Sequence, residues 1–211
     1  MKTTTFMRLS VIGSCIAFLM PGFVSNAMAQ SGESGNVKTS IAAVKTFDGS
    51  AVIPNAGASL SRNNEAAFAT ISTASLTPGT VVTLWWAIFN NPSSCATPNC
   101  SPADLNNPDV NGSLQFGGGA VVGLNGRADF AGYLAVGDNT GFHLLPQFPL
   151  MPNPAPGLVN PKGATIHLVI RTHGAASADP ATLAQQLTSF GGGCSVMPNP
   201  CANIQAAQFV E

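Results

Sequence analysis

Residues 163–174, Gly-Ala-Thr-Ile-His-Leu-Val-Ile-Arg-Thr-His-Gly, alternate with the period of two that a β-strand imposes on its side chains. Ile166, Leu168 and Ile170 fall on one face, and His167, Val169, Arg171 and His173 on the other. Residues 81–89 carry the strongest strand pattern. Thr83, Trp85, Ala87 and Phe89 oppose Val82, Leu84, Trp86 and Ile88, so both faces are apolar and the pattern predicts a central strand covered on both sides. Residues 66–76 alternate as a third strand and run into Thr77-Pro78-Gly79, where proline and glycine suit a type II turn. Asn125-Gly126 between two alternating runs, 120–124 and 127–136, predicts a hairpin with Phe130 and Leu134 on one face. Residues 204–210 predict a closing strand.

One segment carries a helical period. In residues 178–190, Asp179 is a suitable N-cap, Pro180 suits the first helical position, Leu183, Leu187 and Phe190 recur at helical spacing, and Gly191 to Gly193 end the run. Two stretches have no such pattern. Residues 90–111 hold two cysteines and four prolines and predict a long clipped surface loop. Residues 141–162 hold six prolines with apolar residues between them, which excludes helix and central strand and predicts a segment packed across an end or edge of a sheet. Together these elements predict an all-β fold, an antiparallel β-sandwich with long Pro/Gly-rich loops and one short helix in the C-terminal region.

The N-terminus changes the picture from fold to compartment. Lys2 and Arg8 precede an apolar stretch over residues 9–23, interrupted by Pro21 and Gly22, and Ala27-Met28-Ala29 places small residues before Gln30. This is the pattern of a cleaved secretory signal, and the apolar run is short of the ~20 residues that span a bilayer. Cys15 after Ile12-Gly13-Ser14 is a weaker lipoprotein-like pattern. The expectation is a signal peptide over 1–29, a disordered lead-in over 30–36 and one domain over 37–211, exported to the periplasm or beyond the cell, with no transmembrane segment after cleavage.

Composition agrees with an exported chain. Only 8% of residues are charged, and after the signal six basic residues face nine acids, for a net charge of −3. That sparsity argues against nucleic acid, whose phosphates need clustered Lys and Arg. Four cysteines remain, Cys95, Cys100, Cys194 and Cys201, and in an oxidising compartment they predict two disulfides. Their spacing favours Cys95–Cys100 and Cys194–Cys201, although four cysteines allow three pairings. The Cys-x4-Cys and Cys-x6-Cys spacings are looser than zinc-ribbon pairs.

The chemistry is concentrated on one strip. His167, Arg171 and His173, with His143 from the proline-rich segment, are the candidate ligand-binding residues, because two of the chain's three histidines and one of its few arginines share a strand face. His167 and His173 stand six residues apart, about 20 Å along a strand, so one ion cannot bridge them. The competing reading of Arg171 is a clasp for loop carbonyls, and that of alternating polar residues is a solvated face. No Gly-x-Ser-x-Gly elbow is present. Gly117 to Gly119 lack the following helix and Lys-Ser/Thr pair of a phosphate loop, and Asp104, Asp109, Asp129 and Asp138 have no spacing that predicts a carboxylate pair.

The run Leu76-Thr77-Pro78-Gly79-Thr80 before an apolar strand resembles a corner of immunoglobulin-like and fibronectin type III sandwiches. The longer series from Leu-Thr-Pro-Gly-Thr through Val-Thr-Leu-Trp-Trp-Ala-Ile-Phe-Asn-Asn-Pro, Gly-Gly-Ala-Val-Val-Gly-Leu-Asn-Gly, the His167 strand and Ser-Phe-Gly-Gly-Gly-Cys resembles an uncharacterised family of exported bacterial proteins. That resemblance implies export and the sandwich, and supplies no activity. Two functions of different class follow as expectations. One is a non-catalytic secreted protein binding a small ligand, glycan or protein partner through its loops and the His167 face; the other is a metal-dependent or histidine-assisted enzyme on that face. The identity of the ligand, of any metal and of any cofactor is left open by the sequence.

Overall fold

The computed structural model of the chain describes residues 36–139, 155–194 and 201–211. The strands belong to one contact unit, Ser34–Glu211. The predicted signal segment, Cys15 and His143 lie outside the described residues. Two antiparallel sheets hold the strands. One contains β1 (Lys38–Ala42), β3 (Gly57–Arg62), β4 (Ala66–Thr73) and β7 (Ala128–Ala135), in the order β1-β3-β4-β7. The other contains β2 (Lys45–Thr46), β5 (Thr80–Phe89), β6 (Gly112–Val121), β8 (Thr165–Ala175) and β9 (Ala202–Phe209), in the order β2-β9-β8-β5-β6. The single α-helix among the described residues, α1 (Pro180–Thr188), follows β8. This is the all-β sandwich that the alternation predicts.

Between the sheets, the inward residues of each strand interdigitate. Val82, Leu84, Trp86 and Ile88 of β5 and Ile166, Leu168 and Ile170 of β8 meet Leu60, Ala69, Ile71 and Leu134 of the facing sheet. Trp86 reaches across to Gly132 of β7. A Cβ at Gly132 would lie 2.8 Å from its indole, so only glycine leaves room for the ring there.

The other face of the five-stranded sheet is also covered. Trp85, Ala87 and Phe89 of β5 and Val169 of β8 form a second core with Leu105 and Val110 from the loop after β5 and Phe190 from beyond α1. Trp85 meets Phe116 and Phe190 edge-on, with centroids 5.4 and 5.1 Å apart. Strand β5 is therefore buried on both faces from Val81 to Phe89, with Thr83 its one polar residue there, which is the doubly covered pattern read in the sequence. The clipped loop is thus a roof as well as a surface. It winds through three 3-10 turns, Pro92–Ser94, Pro102–Asn106 and Pro108–Val110. Asp104 braces it by accepting from the Ala96 N–H and from the N–H and hydroxyl of Ser101.

Both predicted disulfides form: Cys95–Cys100 within this loop and Cys194–Cys201 before β9. The turn at Thr77–Thr80 is also as expected, with Gly79 at φ +78°. The predicted hairpin is not formed. Strand β6 pairs with β5 and β7 with β4, so the chain crosses at residues 122–127 from one sheet to the other. A type I′ turn needs positive φ at both central residues, and here Gly126 alone has it. The crossing is docked instead on the Pro78-Gly79 turn: Val122 N–H donates to Thr80 O, Gly79 N–H to Val122 O and Leu76 N–H to Gly126 O.

Helix α1 is shorter than its sequence period. Asp179 caps it by accepting from Thr182 N–H. The residue it buries completely is Gln186, whose Nε2 donates to the carbonyls of His173 and Ala175 while its Oε1 accepts from Ser177 N–H. One amide thus satisfies the end of β8, where the ladder to β5 shifts register. Of the proline-rich segment, residues 155–162 are described; Ala155 and Leu158 are buried, and Leu158 bridges to Val136.

Candidate functional site

Strand β8 presents its second face to the outer core, not to solvent. His167 and His173 are 4% and 0% exposed, and Arg171 is half-buried. The alternation is right about which residues share a face and gives no sign of what covers them. The cover comes from residues distant in sequence, the clipped loop and the segment after α1, whose sparse apolar residues carry no period.

His167 Nε2 lies 2.8 Å from the Asn99 carbonyl, which can only accept, so the ring is the Nε2–H tautomer. Its Nδ1 keeps a lone pair, and no protein hydrogen bond to it is formed among the described residues. The ring packs at 4.9 Å against Phe89. Burial pushes the His167 imidazole down to about 4, against the opposing effect of the Asn99 bond, so it is neutral at pH 7.

His173 is committed at both nitrogens. Nδ1–H donates to the Gly192 carbonyl at 2.8 Å, which makes Nε2 the acceptor of the Thr83 hydroxyl at 2.9 Å. Thr83 Oγ1 in turn accepts from Trp85 Nε1–H at 2.8 Å. Burial lowers the His173 pKa, the charge of Arg171 acts in the same direction, and the Gly192 bond opposes both. His173, Cys194 and Cys201 bring three potential ligand atoms within 4.8 Å of one another. The two sulfurs are bonded to each other, however, and a disulfide is not the thiolate that binds zinc.

Arg171 acts as a clasp. Its Nε donates to the Phe190 carbonyl at 2.8 Å and one terminal nitrogen to Asn203 Oδ1 at 3.1 Å. The guanidinium lies 3.9 Å from the centre of the Phe190 ring. Burial lowers its pKa to about 10, which leaves it charged at neutral pH. Among the described residues no carboxylate pairs with it.

His167, together with Phe190 and Asn203, the two hydrogen-bond partners of Arg171, lines a cavity of about 80 Å³ in the outer core. Trp85, Ala87, Phe89 and Val169 form its sheet side; Pro102 and Leu105 of the clipped loop and Phe190 roof it. His167, Asn203 and Gln208 supply its polar lining. Phe47, Ala206 and Gln208 also line a wider polar groove of about 650 Å³ that includes Lys45, Asp48 and Asn99. The arrangement can hold a small apolar group and orient it by a few hydrogen bonds, which is the usual chemistry of a ligand pocket.

Of the predicted residues described, His167 lines the cavity, Arg171 touches it only through Phe190 and Asn203, and His173 sits in a closed network beside the second disulfide. Asp104 and Asp129 are far apart in role: the first braces the clipped loop, and the second accepts from Ser72 on the four-stranded sheet. Sequence reasoning missed Asn203, Gln208 and Phe190 as site residues. Phe190 reads as a helix contact, and an Asn or Gln on a closing strand carries no signal until register sets Asn203 beside Arg171 and Gln208 beside His167.

It also missed Arg62. That side chain is buried between the sheets, donates to the carbonyls of Pro161 and Ala164, and pairs at 2.7 Å with Glu211, which also binds Lys38. Compared with family models, with curated proteins and with solved structures, the chain shows no match, so the reading of this site rests on its own geometry.

Proposed function

We propose that this chain is an exported, non-catalytic binding protein whose ligand site is the cavity on the outer face of the five-stranded sheet. Export is supported by the signal-like pattern of residues 1–29 and by the two disulfides, which persist in oxidising compartments. No helix among the described residues is long and apolar enough to cross a membrane.

The observation that carries the binding reading is the cavity itself. A packed core of this size leaves few voids larger than a water molecule, yet here about 80 Å³ stands open beneath aromatic rings. Its one imidazole is neutral, held by Asn99 and left with a lone pair at Nδ1. Binding is better supported than histidine-assisted or metal-dependent catalysis, because both nitrogens of His173 are engaged and the adjacent sulfurs form a disulfide.

The test is xenon, which enters apolar cavities without needing a polar partner. Under xenon pressure, nuclear magnetic resonance should show shifts at Trp85, Phe89 and Phe190, and Ala206→Phe, which fills the lining, should abolish them. Shifts absent in the wild-type protein would reject the cavity as a site.

A glycan reading has one observation of its own. Phe68 and Tyr133 are paired across β4 and β7, are 45% and 62% exposed, and lie on a sheet face with Ser59, Ser61 and Thr70. Two adjacent aromatic side chains among hydroxyls suit a stacked sugar. Oligosaccharide titration of Tyr133→Ala separates it from the cavity reading.

A further inference from the structure

The second disulfide stands against a buried histidine. His173 Nδ1 lies 3.6 Å from Cys201 Sγ, and the ligand atoms of His173, Cys194 and Cys201 all fall within 4.8 Å of one another. A tetrahedral zinc ion, with bonds of about 2.0 Å to nitrogen and about 2.3 Å to sulfur, sets a nitrogen and a sulfur about 3.6 Å apart and two sulfurs about 3.8 Å apart. The nitrogen–sulfur edge of such a site is therefore already present, and only the two bonded sulfurs stand too close. Backbone contacts hold all three residues without help from the S–S bond. Cys201 leads into β9, where Ala202 pairs with Thr172 of β8, the neighbour of His173. Cys194 ends a turn fixed by its own N–H on Gly191 O, by His173 on Gly192 O and by Arg171 on Phe190 O. A Cβ at Gly192 would collide with the Gln185 carbonyl, so the turn is seated closely on α1. Both cysteines are partly exposed, which gives a thiol and an ion access to them, whereas His173 is fully buried.

We propose that reduction of Cys194–Cys201 opens a binding site for a thiophilic cation of the zinc class, ligated by the two thiolates and by His173 Nδ1. None of the three residues lines the cavity, so this site stands apart from it, and oxidation closes it. Reduction is thiol–disulfide exchange with a dithiol. A thiolate of the reductant attacks one sulfur, its second thiol resolves the mixed disulfide, and the reductant leaves as its own disulfide with two electrons and two protons passed to the cysteines. Metal binding then releases those two protons, so a divalent cation with two thiolates adds no net charge near Arg171, whose charge acts on His173. The His173 proton moves from Nδ1 to Nε2, at the cost of its bond to Gly192 O. From Nε2 it donates to Thr83 Oγ1, which stands 2.9 Å away and keeps a second lone pair for Trp85 Nε1–H. Such a partner on the far nitrogen is what orients a ligating imidazole. Three protein ligands leave the fourth position to water. Thiolate and imidazole favour zinc over hard cations such as magnesium.

The experiment titrates cobalt(II), a spectroscopic stand-in for zinc, into protein reduced with a phosphine under argon, with the oxidised protein alongside. The reduced protein is expected to take up cobalt with the intense visible bands of a tetrahedral ion and thiolate charge transfer, and zinc is expected to displace it while magnesium does not. The oxidised protein is expected to show none of these bands. Cys194→Ser together with Cys201→Ser should abolish the spectrum; its persistence would put the ion on Cys95 and Cys100 and overturn the proposal. His173→Gln should weaken binding by at least about tenfold, and equal affinity overturns the site as drawn. Should that variant fail to fold, a measurement on the wild-type chain decides: in reduced protein loaded with cadmium, magnetic resonance is expected to show scalar coupling from the metal to His173 Nδ1, and coupling to Nε2 or to no histidine overturns the proposal. The loaded protein is expected to keep its sheet signal in circular dichroism. Loss of that signal, no uptake on reduction, or equal uptake by the oxidised protein overturns it as well.

Discussion

His167 donates from Nε2 to the carbonyl of Asn99, 68 residues earlier in the chain, at 2.8 Å. This one bond ties the centre of β8 to the loop that the Cys95–Cys100 disulfide shapes, and it decides which imidazole nitrogen carries the proton. The roof of the cavity is thereby registered to its wall. Replacing His167 by Ala removes the bond, the contact with Phe89 and a buried ring, and is expected to cost about 2–4 kcal/mol. Urea unfolding checks the figure, and hydrogen exchange should show the amides of residues 95–105 losing protection before those of the sheets.

The same histidine makes stability depend on pH. Its folded pKa, about 4, lies below the ordinary value of 6.5, so between these values the unfolded chain binds more protons than the folded one. Its contribution is complete above pH 6.5 and is lost as pH falls toward 4, by up to about 3 kcal/mol. His173, also lowered by burial, acts in the same direction. Thermal midpoints should therefore fall between pH 6.5 and 4, and His167→Gln should flatten that slope; an unchanged slope in the variant contradicts the assignment.

Trp86→Ala is expected to destabilise by about 3–5 kcal/mol, since the indole bridges the sheets and is 1% exposed. Gly132→Ala probes the same contact from the other side. The new Cβ would fall 2.8 Å from the ring, and overpacking of this kind costs about 1–3 kcal/mol. The two changes share a contact, so a double mutant should be less destabilised than the sum of the singles.

Glu211→Gln tests the clamp at the chain's end. The Arg62 side chain has 0% exposure, and neutralising its partner leaves a buried charge uncompensated, at a cost of about 3–5 kcal/mol. Loss of less than 1 kcal/mol on chemical unfolding would show that the pair is not the anchor of the C-terminal strand.

Much of this architecture was legible because period and burial coincide. In β5 and β8 the alternation placed each side chain on its correct face, and the cysteine spacing gave both disulfides. The hairpin at Asn125-Gly126 failed because turn chemistry is local while strand partners are not: β6 pairs along its length with β5 and β7 with β4, in different sheets. The site was half legible. His167 and Arg171 stand out in a chain with 8% charge, but Asn203, Gln208 and Phe190 reach them only through strand register and a loop return.

The most direct measurement is where xenon enters the protein in solution. Under xenon pressure, chemical-shift changes are predicted at the ring protons of Trp85, Phe89 and Phe190, and they are predicted to vanish in Ala206→Phe. Changes confined to Phe68 and Tyr133 on the four-stranded sheet, or no response at those three rings, would contradict the account.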